Sequence, residues 1–272
     1  GDAGVVVSEL LGSDDQRGIA APGFAAAPQI GFNNLLLDPG RVVRRGYLFA
    51  WDDDDTAHTS LSLQLAIRHL AERGVRLGPS SANEAWVALG DTTIPALEAD
   101  FGAYTGLDAG GYQFPLDYAR ADDAIERLSF SDLVDGTVTS SEVQGRIAII
   151  GTDARSVKDD FNAPFAAGDT VKGFRIHAHV TDQLIRMGEG VTAPRGTWSE
   201  VAELFWIVAW GAAGIGLSLV LGSLGWAVPA FAAGLAVLIT IGAMFFSSGV
   251  WVPTVAPAFA WVVGGGVAVG DR

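Results

Sequence analysis

The strongest pattern in the chain is a long apolar run at its carboxyl-terminal end. Residues 204–270 contain no Asp, Glu, Lys, Arg or His, and two glycine- and serine-containing breaks divide them into segments 204–222, 226–247 and 250–270. Each segment has about 20 residues, the number that an α-helix needs to cross the hydrocarbon core of a bilayer. Core helices of soluble proteins keep a polar face and these segments have none, so the pattern predicts three transmembrane helices.

Ahead of this run, strand patterns and helix patterns alternate. Apolar alternation or short apolar runs predict strands at 5–7, 42–49, 84–89, 113–118 and 146–150. Capping residues and glycine stops predict helices from Thr59 or Ser60 to Gly74, from Ser129 or Ser131 to just before Gly136, and from Gly173 to Gly188. The alternation favours an α/β domain with a mixed sheet over residues 1–198, joined through a juncture at 199–203 to an all-α transmembrane region.

Two loops are marked by turn chemistry. Asp38, Pro39 and Gly40 precede the strand pattern at 42–49, and this order of residues predicts a hairpin or a strand–turn–strand unit. The acidic run 52–55 lacks the glycine and the closing glutamate of a calcium-binding loop. We interpret it as a solvated acidic loop.

The segment after residue 145 carries the main candidate for a binding site. The continuous apolar run 146–150 predicts a strand buried on both faces, and the polar loop GTDARSVKDDFNAPF follows it. Open α/β sheets bind ligands at the carboxyl ends of their strands. The candidate ligand-binding residues are therefore Asp153, Arg155, Asp159, Asp160 and His177. The alternative interpretation is that these charges form the solvated face of a loop.

His177 and His179 raise the question of a metal site. Two residues apart on a strand, they would share a face and could bind one ion, whereas at the start of a helix they diverge. We favour structural roles for both, with His177 hydrogen-bonded in the loop near Asp153, and we predict neither a metal nor another cofactor.

Composition narrows the classes of function. The formal net charge is −14, and all of it precedes the apolar run because Asp271 and Arg272 cancel. An acidic surface argues against nucleic acid as a partner. The chain has no cysteine, which excludes thiol catalysis and disulfides, and it lacks the Gly-x-Ser-x-Gly, Walker and His-Glu-x-x-His motifs. We therefore predict no catalytic residues. An envelope enzyme that uses the loop from Asp153 to Asp160 is a minor alternative.

Four phrases of the sequence resemble one known family. They are GFNN with DPGRVVRR, then FSDLVDG, then VQGRIAIIGTDA with DDFNAPF, and then GFRIHAHVTDQLIR. In this order, ahead of three apolar segments, they are similar to the CHASE type-two sensors. That family usually begins with a transmembrane helix and a first α/β segment, so we expect this chain to be a fragment. It also tends to have Asn at the position of His179, which therefore receives no family role.

The resemblance implies the sensory input and transmembrane region of a bacterial signal-transduction receptor. The soluble domain would be extracytoplasmic, and the chain would be a multi-pass protein of the inner (plasma) membrane, in contact with lipid. It would form a homodimer and bind an unknown small molecule or protein. Pro194, Gly196 and Trp198 would relay the signal to a cytoplasmic effector, for which a class III adenylate or guanylate cyclase is the first choice. The alternative is a membrane-anchored binding or scaffold subunit of an envelope complex with no effector of its own.

Overall fold

The computed structural model describes residues 5–8, 18–26, 29–118, 125–154, 156–166, 168–221 and 224–270. The chain divides into two compact units. The first unit comprises Gly1–Leu97 and Asp108–Pro194, and the second comprises Glu98–Leu107 and Arg195–Arg272. The second unit thus includes a ten-residue stretch, Glu98–Leu107, that leaves the first unit and returns to it.

The described elements of the first unit are strands, four α-helices and a 3₁₀-helix (Pro164–Ala166). The strands are β1 (Val6–Ser8), β2 (Ile30–Phe32), β3 (Leu36–Asp38), β4 (Val42–Trp51), β5 (Ala57–Thr59), β6 (Leu77–Pro79), β7 (Val87–Leu89), β8 (Thr92–Ile94), β9 (Tyr112–Pro115), β10 (Asp160–Asn162) and β11 (Thr170–Lys172). The helices are α1 (Leu61–Ala71), α2 (Phe130–Val134), α3 (Ser140–Val143) and α4 (Gly173–Gly188).

The main sheet is organised around β4, the longest strand. Antiparallel β3, β5 and β9 pair with it, while β10 runs parallel to it and joins antiparallel β11. Two smaller sheets accompany the main one, the parallel pair β1–β2 and the antiparallel β6–β7–β8. Parallel and antiparallel pairs occur together with helices, which confirms the prediction of a mixed α/β domain.

The hairpin β3–β4 forms where turn chemistry predicts it. The amide of Arg41 donates to the carbonyl of Asp38 (2.9 Å), and Gly40 has φ +80°, a left-handed value that glycine adopts at little cost. The buried Asp38 carboxylate accepts from the Arg45 guanidinium on the next strand (Nε–Oδ1 2.9 Å). A local turn and a buried ion pair therefore fix the same hairpin.

The hydrophobic core lies between the main sheet and helices α1 and α4. It is formed by side chains that are almost fully excluded from solvent: Val43, Leu48, Leu63, Leu70, Phe114, Ile176, Leu184 and Met187. Ser60 caps α1 by accepting from the Leu63 amide (3.2 Å), and Asp182 pairs with Arg186 one turn apart on α4 (2.9 Å). The predicted helices at 60–74 and 173–188 are confirmed.

The predicted strand at 146–150 is wrong. These residues are irregular, and among the described residues no strand pairs with them. Ile147 and Ile149 are half-buried whereas Ala148 and Ile150 are exposed, so the segment is extended with one face covered. An apolar run indicates burial, but a strand also requires a neighbour for its backbone hydrogen bonds, and local sequence does not report that neighbour.

The second unit contains α5 (Glu200–Val220), α6 (Leu224–Ser247), α7 (Val255–Gly270) and the short strands β12 (Gly196–Thr197) and β13 (Val250–Trp251). Helices α5 and α6 are long and apolar enough to cross a membrane. Helix α7 has 16 residues, about 24 Å of helix, which is shorter than a hydrocarbon core. The prediction of three spanning helices is thus met by two.

Small residues let α5 and α7 approach closely. A side chain at Gly264 would lie 2.7 Å from the carbonyl oxygen of Gly211, and the Ser218 hydroxyl donates to the Gly265 carbonyl (2.8 Å). Close backbone approach and interhelical hydrogen bonds are the interactions that hold helices together in lipid, where apolar burial gives no driving force. Helices α5 and α7 are thus in contact through backbone and small side chains.

We predict that Asp38→Ala destabilises the main sheet by about 3–5 kcal/mol, because it leaves the buried Arg45 guanidinium without its carboxylate. Hydrogen exchange of the β4 amides measures this cost as an opening free energy. Arg44→Ala is the control: its pair with Asp38 (3.5 Å) involves a side chain that is 47% exposed, and its loss should cost under about 1 kcal/mol. Equal costs for the two variants would contradict the assignment.

Candidate functional site

The first unit contains a cavity of about 1180 Å³. Its walls are one side of α1, the extended segment 145–152, the first turn of α4, and residues near Asn33. Both apolar and polar side chains line it, the polar ones being Asn33, Arg68, His69, Glu72, Arg146, Thr152, Asp159 and His177. The space is large enough for a small-molecule ligand.

Asp159 lies at the entry to α4. Its carboxylate accepts from the Gly173 amide (3.0 Å), one of the amides that a helix start leaves without an intrahelical partner. A side chain at Gly173 would lie 2.7 Å from this carboxylate, so glycine is needed for the contact. Burial raises the pKa of Asp159, and the Gly173 hydrogen bond and the nearby Lys172 partly oppose that shift.

Lys172 organises the loop that precedes it. Its buried ammonium donates to the Val157 carbonyl (2.8 Å), to the Ala154 carbonyl (3.4 Å) and to the Asp160 carboxylate (3.1 Å). These three bonds hold the 154–160 loop against β11. Sequence reasoning missed Lys172, although a lysine between an apolar strand and a helix start was an available signal.

His177 is a buried connection between three segments. Its Nε2 lies 3.0 Å from the Asn33 carbonyl, which can only accept, so Nε2 carries the proton. Nδ1 then accepts from the Ser62 hydroxyl (3.1 Å), which joins α4 to α1. Burial lowers the pKa of His177 to about 4, so the ring is neutral at physiological pH. Asp153 is not among these hydrogen-bond partners, and the prediction that placed His177 near it is corrected.

His179 lies elsewhere. It is two residues further along the same helix and packs between Phe165 (4.4 Å between ring centroids) and Tyr118 (5.7 Å). Since both histidines belong to α4, they diverge, as expected for a helix. The arrangement gives them separate structural contacts.

The structure brings together only part of the predicted ligand-binding set. Asp159 and His177 line the cavity, whereas Asp160 is occupied by Lys172 and is 43% exposed. Asp153 is exposed on irregular chain, and Arg155 lies outside the described residues. Because 146–150 is not a strand, the expected site at the carboxyl end of a strand does not form. Ligand binding by these residues stays a prediction.

The predicted juncture has a defined geometry within the second unit. Gly196 and Thr197 pair in parallel with Val250 and Trp251, the strand that connects α6 and α7. Trp198 packs edge-on against Trp206 of α5 (5.6 Å between ring centroids), and its ring also meets Phe245 of α6. Pro194 is the last residue of the first unit. The relay residues 194–198, called the juncture from here on, therefore contain a strand inside a packed aromatic cluster, whereas residues 199–203, predicted as the juncture, form the N-cap and first turn of α5.

A model of the CHASE2 domain matches residues 4–216, well over half of the chain. The chain belongs to the CHASE2 family. CHASE2 domains are extracellular, non-catalytic sensor domains of signalling receptors. Comparison with curated proteins and with solved structures finds no match.

The CHASE2 match covers every element of the first unit and continues into α5 as far as residue 216. The match thus includes the cavity, the juncture and most of the first apolar helix. The resemblance predicted from the four sequence phrases is confirmed.

We predict that the CHASE2 domain loses stability as the pH falls from about 6.5 to about 4, in part through His177. In this window an unfolded histidine binds a proton and the buried ring does not, so protons favour unfolding by up to about 3 kcal/mol. His177→Gln should flatten this part of the pH dependence of the thermal unfolding midpoint. His58→Gln is the control for loss of a histidine on β5. Parallel pH profiles for wild type and His177→Gln would contradict the prediction.

Proposed function

We propose that this chain is the sensory input and membrane region of a bacterial receptor that relays an extracytoplasmic stimulus to a cytoplasmic effector. The observation that carries the proposal is the CHASE2 match over residues 4–216, which runs into the apolar helix α5 and is followed by a second apolar helix, α6. A sensor domain joined to an apolar helix by the short stretch 195–199 has the layout of a receptor input. In this proposal α7 is the third span, its short length being met by local thinning of the bilayer, and the soluble domain faces outward from the inner membrane.

The stimulus, a small molecule or a protein segment, binds at the cavity beside α1 and α4. Asp159 supplies a carboxylate at the cavity wall, and Lys172 holds the neighbouring 154–160 loop in place. A ligand that binds one arrangement of a homodimer more tightly shifts the population toward that arrangement by its differential affinity alone. Residues 194–198 carry the change to α5. The effector is a class III nucleotide cyclase.

We predict a topology that single cysteines can test, because these 272 residues contain none. In intact cells, a membrane-impermeant maleimide should label Asp153→Cys and Ser248→Cys, which lie ahead of α5 and between α6 and α7. Leu221→Cys, between α5 and α6, and a cysteine added after Arg272 should react only after the cells are permeabilised. Together, the four labelling results test whether the chain crosses the membrane three times.

Two outcomes would contradict this topology. Labelling of Leu221→Cys in intact cells would place the short connection outside and remove α5 as a span. Labelling of the cysteine after Arg272 in intact cells would limit the chain to two spans, and α7 would then lie on the outer side.

The receptor hypothesis requires an effector domain in the same polypeptide, and the scaffold hypothesis does not. We predict that the natively expressed polypeptide is heavier than the 28.3 kDa of this sequence by at least one further domain, about 100–200 residues. Intact-mass measurement of the native protein checks this. A native mass near 28.3 kDa would favour a binding or scaffold subunit that acts through a partner.

A further inference from the structure

The stretch Glu98–Leu107 is a closed loop that belongs to the second unit although its neighbours in sequence belong to the first. It closes on itself, because the Leu107 amide donates to the Ala99 carbonyl (2.9 Å) and the Gly106 amide donates to the Asp100 carboxylate (2.9 Å). These two hydrogen bonds therefore stabilise the conformation of the loop. Neither the cavity nor the juncture accounts for it.

The loop holds the indole ring of Trp251. Phe101 and Tyr104 meet this ring edge-on, at 6.4 and 6.0 Å between ring centroids. Gly102 lies between them with φ +61°, and a side chain there would come within 2.7 Å of the indole. Both the left-handed backbone and the close approach require glycine. Edge-to-face pairs of this kind stabilise beyond the area that they bury.

Trp251 is also part of the strand pair that receives the juncture. In the β12–β13 register it lies opposite Thr197, and the Gly196 amide donates to the Gly249 carbonyl (3.0 Å). We call the contacts of the 98–107 loop with Trp251 the clamp. The clamp acts on the short connection between α6 and α7, and the juncture strand β12 pairs with that same connection. Three separate stretches of the chain meet there.

The other end of the loop is fixed in the first unit. The Leu97 amide donates to the Gln113 carbonyl (3.0 Å), and the Gln113 side chain donates to the Asp108 carbonyl (3.0 Å). The same buried glutamine accepts from the Arg45 guanidinium (2.5 Å), which is paired with Asp38. The residues that flank the loop are thus bonded to the centre of the main sheet.

We propose that the loop 98–107 is a second relay from the CHASE2 domain, one that acts on the connection between α6 and α7 through Trp251. The loop is hydrogen-bonded to the main sheet at one end and packs against Trp251 at the other, and a mechanical link needs two such attachments. Its physiological meaning rests on the receptor function proposed above, but the physical coupling between its two ends does not. Energetic coupling between two sites is reciprocal, so loss of the Trp251 contacts should lower the local stability where the loop joins the main sheet.

Hydrogen exchange of the full chain in nanodiscs of phosphatidylcholine and phosphatidylglycerol tests this relay. In Trp251→Ala, we expect about tenfold faster exchange at residues 98–107, and also faster exchange at 108–115, beyond the clamp itself. Gly102→Val disturbs the clamp from the loop side and should give the same pattern over both segments. Trp226→Ala is the matched control, since that tryptophan lies on α6 and is 73% exposed.

The relay is overturned if Trp251→Ala leaves the exchange of 98–107 unchanged, because the clamp then does not exist. It is also overturned if exchange rises in 98–107 but not in 108–115, which would make the loop a passive tether, or if Trp226→Ala gives the same pattern. Failure of the receptor topology would appear in the cysteine labelling and would leave the exchange pattern as expected here. The two results are therefore distinguishable.

Discussion

A buried guanidinium sets much of the geometry of the first unit. Arg45 lies at the centre of the longest strand and is 5% exposed, so its charge must be matched by partners in the protein. Asp38 supplies the charge and Gln113 an uncharged acceptor, which fixes the β3–β4 hairpin and the position of β9 together. Through Gln113 the same network reaches Asp108, where the chain returns from the 98–107 loop. The partners that the buried Arg45 guanidinium requires thus connect the β3–β4 hairpin, strand β9 and the base of the 98–107 loop.

The second important buried group is His177, which lines the cavity and is neutral, whereas Arg45 is charged. His177 is kept neutral, and it joins α4 to α1 and to Asn33 through hydrogen bonds that need no charge. A neutral ring with both nitrogens occupied is not a proton donor to a ligand at physiological pH. In the proposed function a polar ligand would meet the charged groups of Asp159 and Arg68 in this cavity, whereas His177 joins the segments that form its walls.

Local signals predicted the elements that local interactions determine. Ser60 and Ser129 cap helices where predicted, and the Asp38 turn gives the expected hairpin. The strand at 146–150 failed because pairing depends on residues distant in sequence. The grip on Trp251 was invisible for the same reason, since about 150 residues separate it from Phe101. At the candidate site, only Asp159 and His177 of the predicted set line the cavity, because its walls come from segments that no local pattern joins.

The arrangement inside the second unit links the starts of two of its helices. The strand that precedes α5 pairs with the strand that precedes α7, so the starts of these two helices are joined by backbone hydrogen bonds. The same two helices pack closely through glycine, with Gly264 against the backbone of Gly211. Packed interfaces of this kind change between discrete arrangements more readily than they deform continuously. In the proposed relay, a displacement of either strand would therefore act on both α5 and α7, and the contacts at Trp251 constrain the same strand pair.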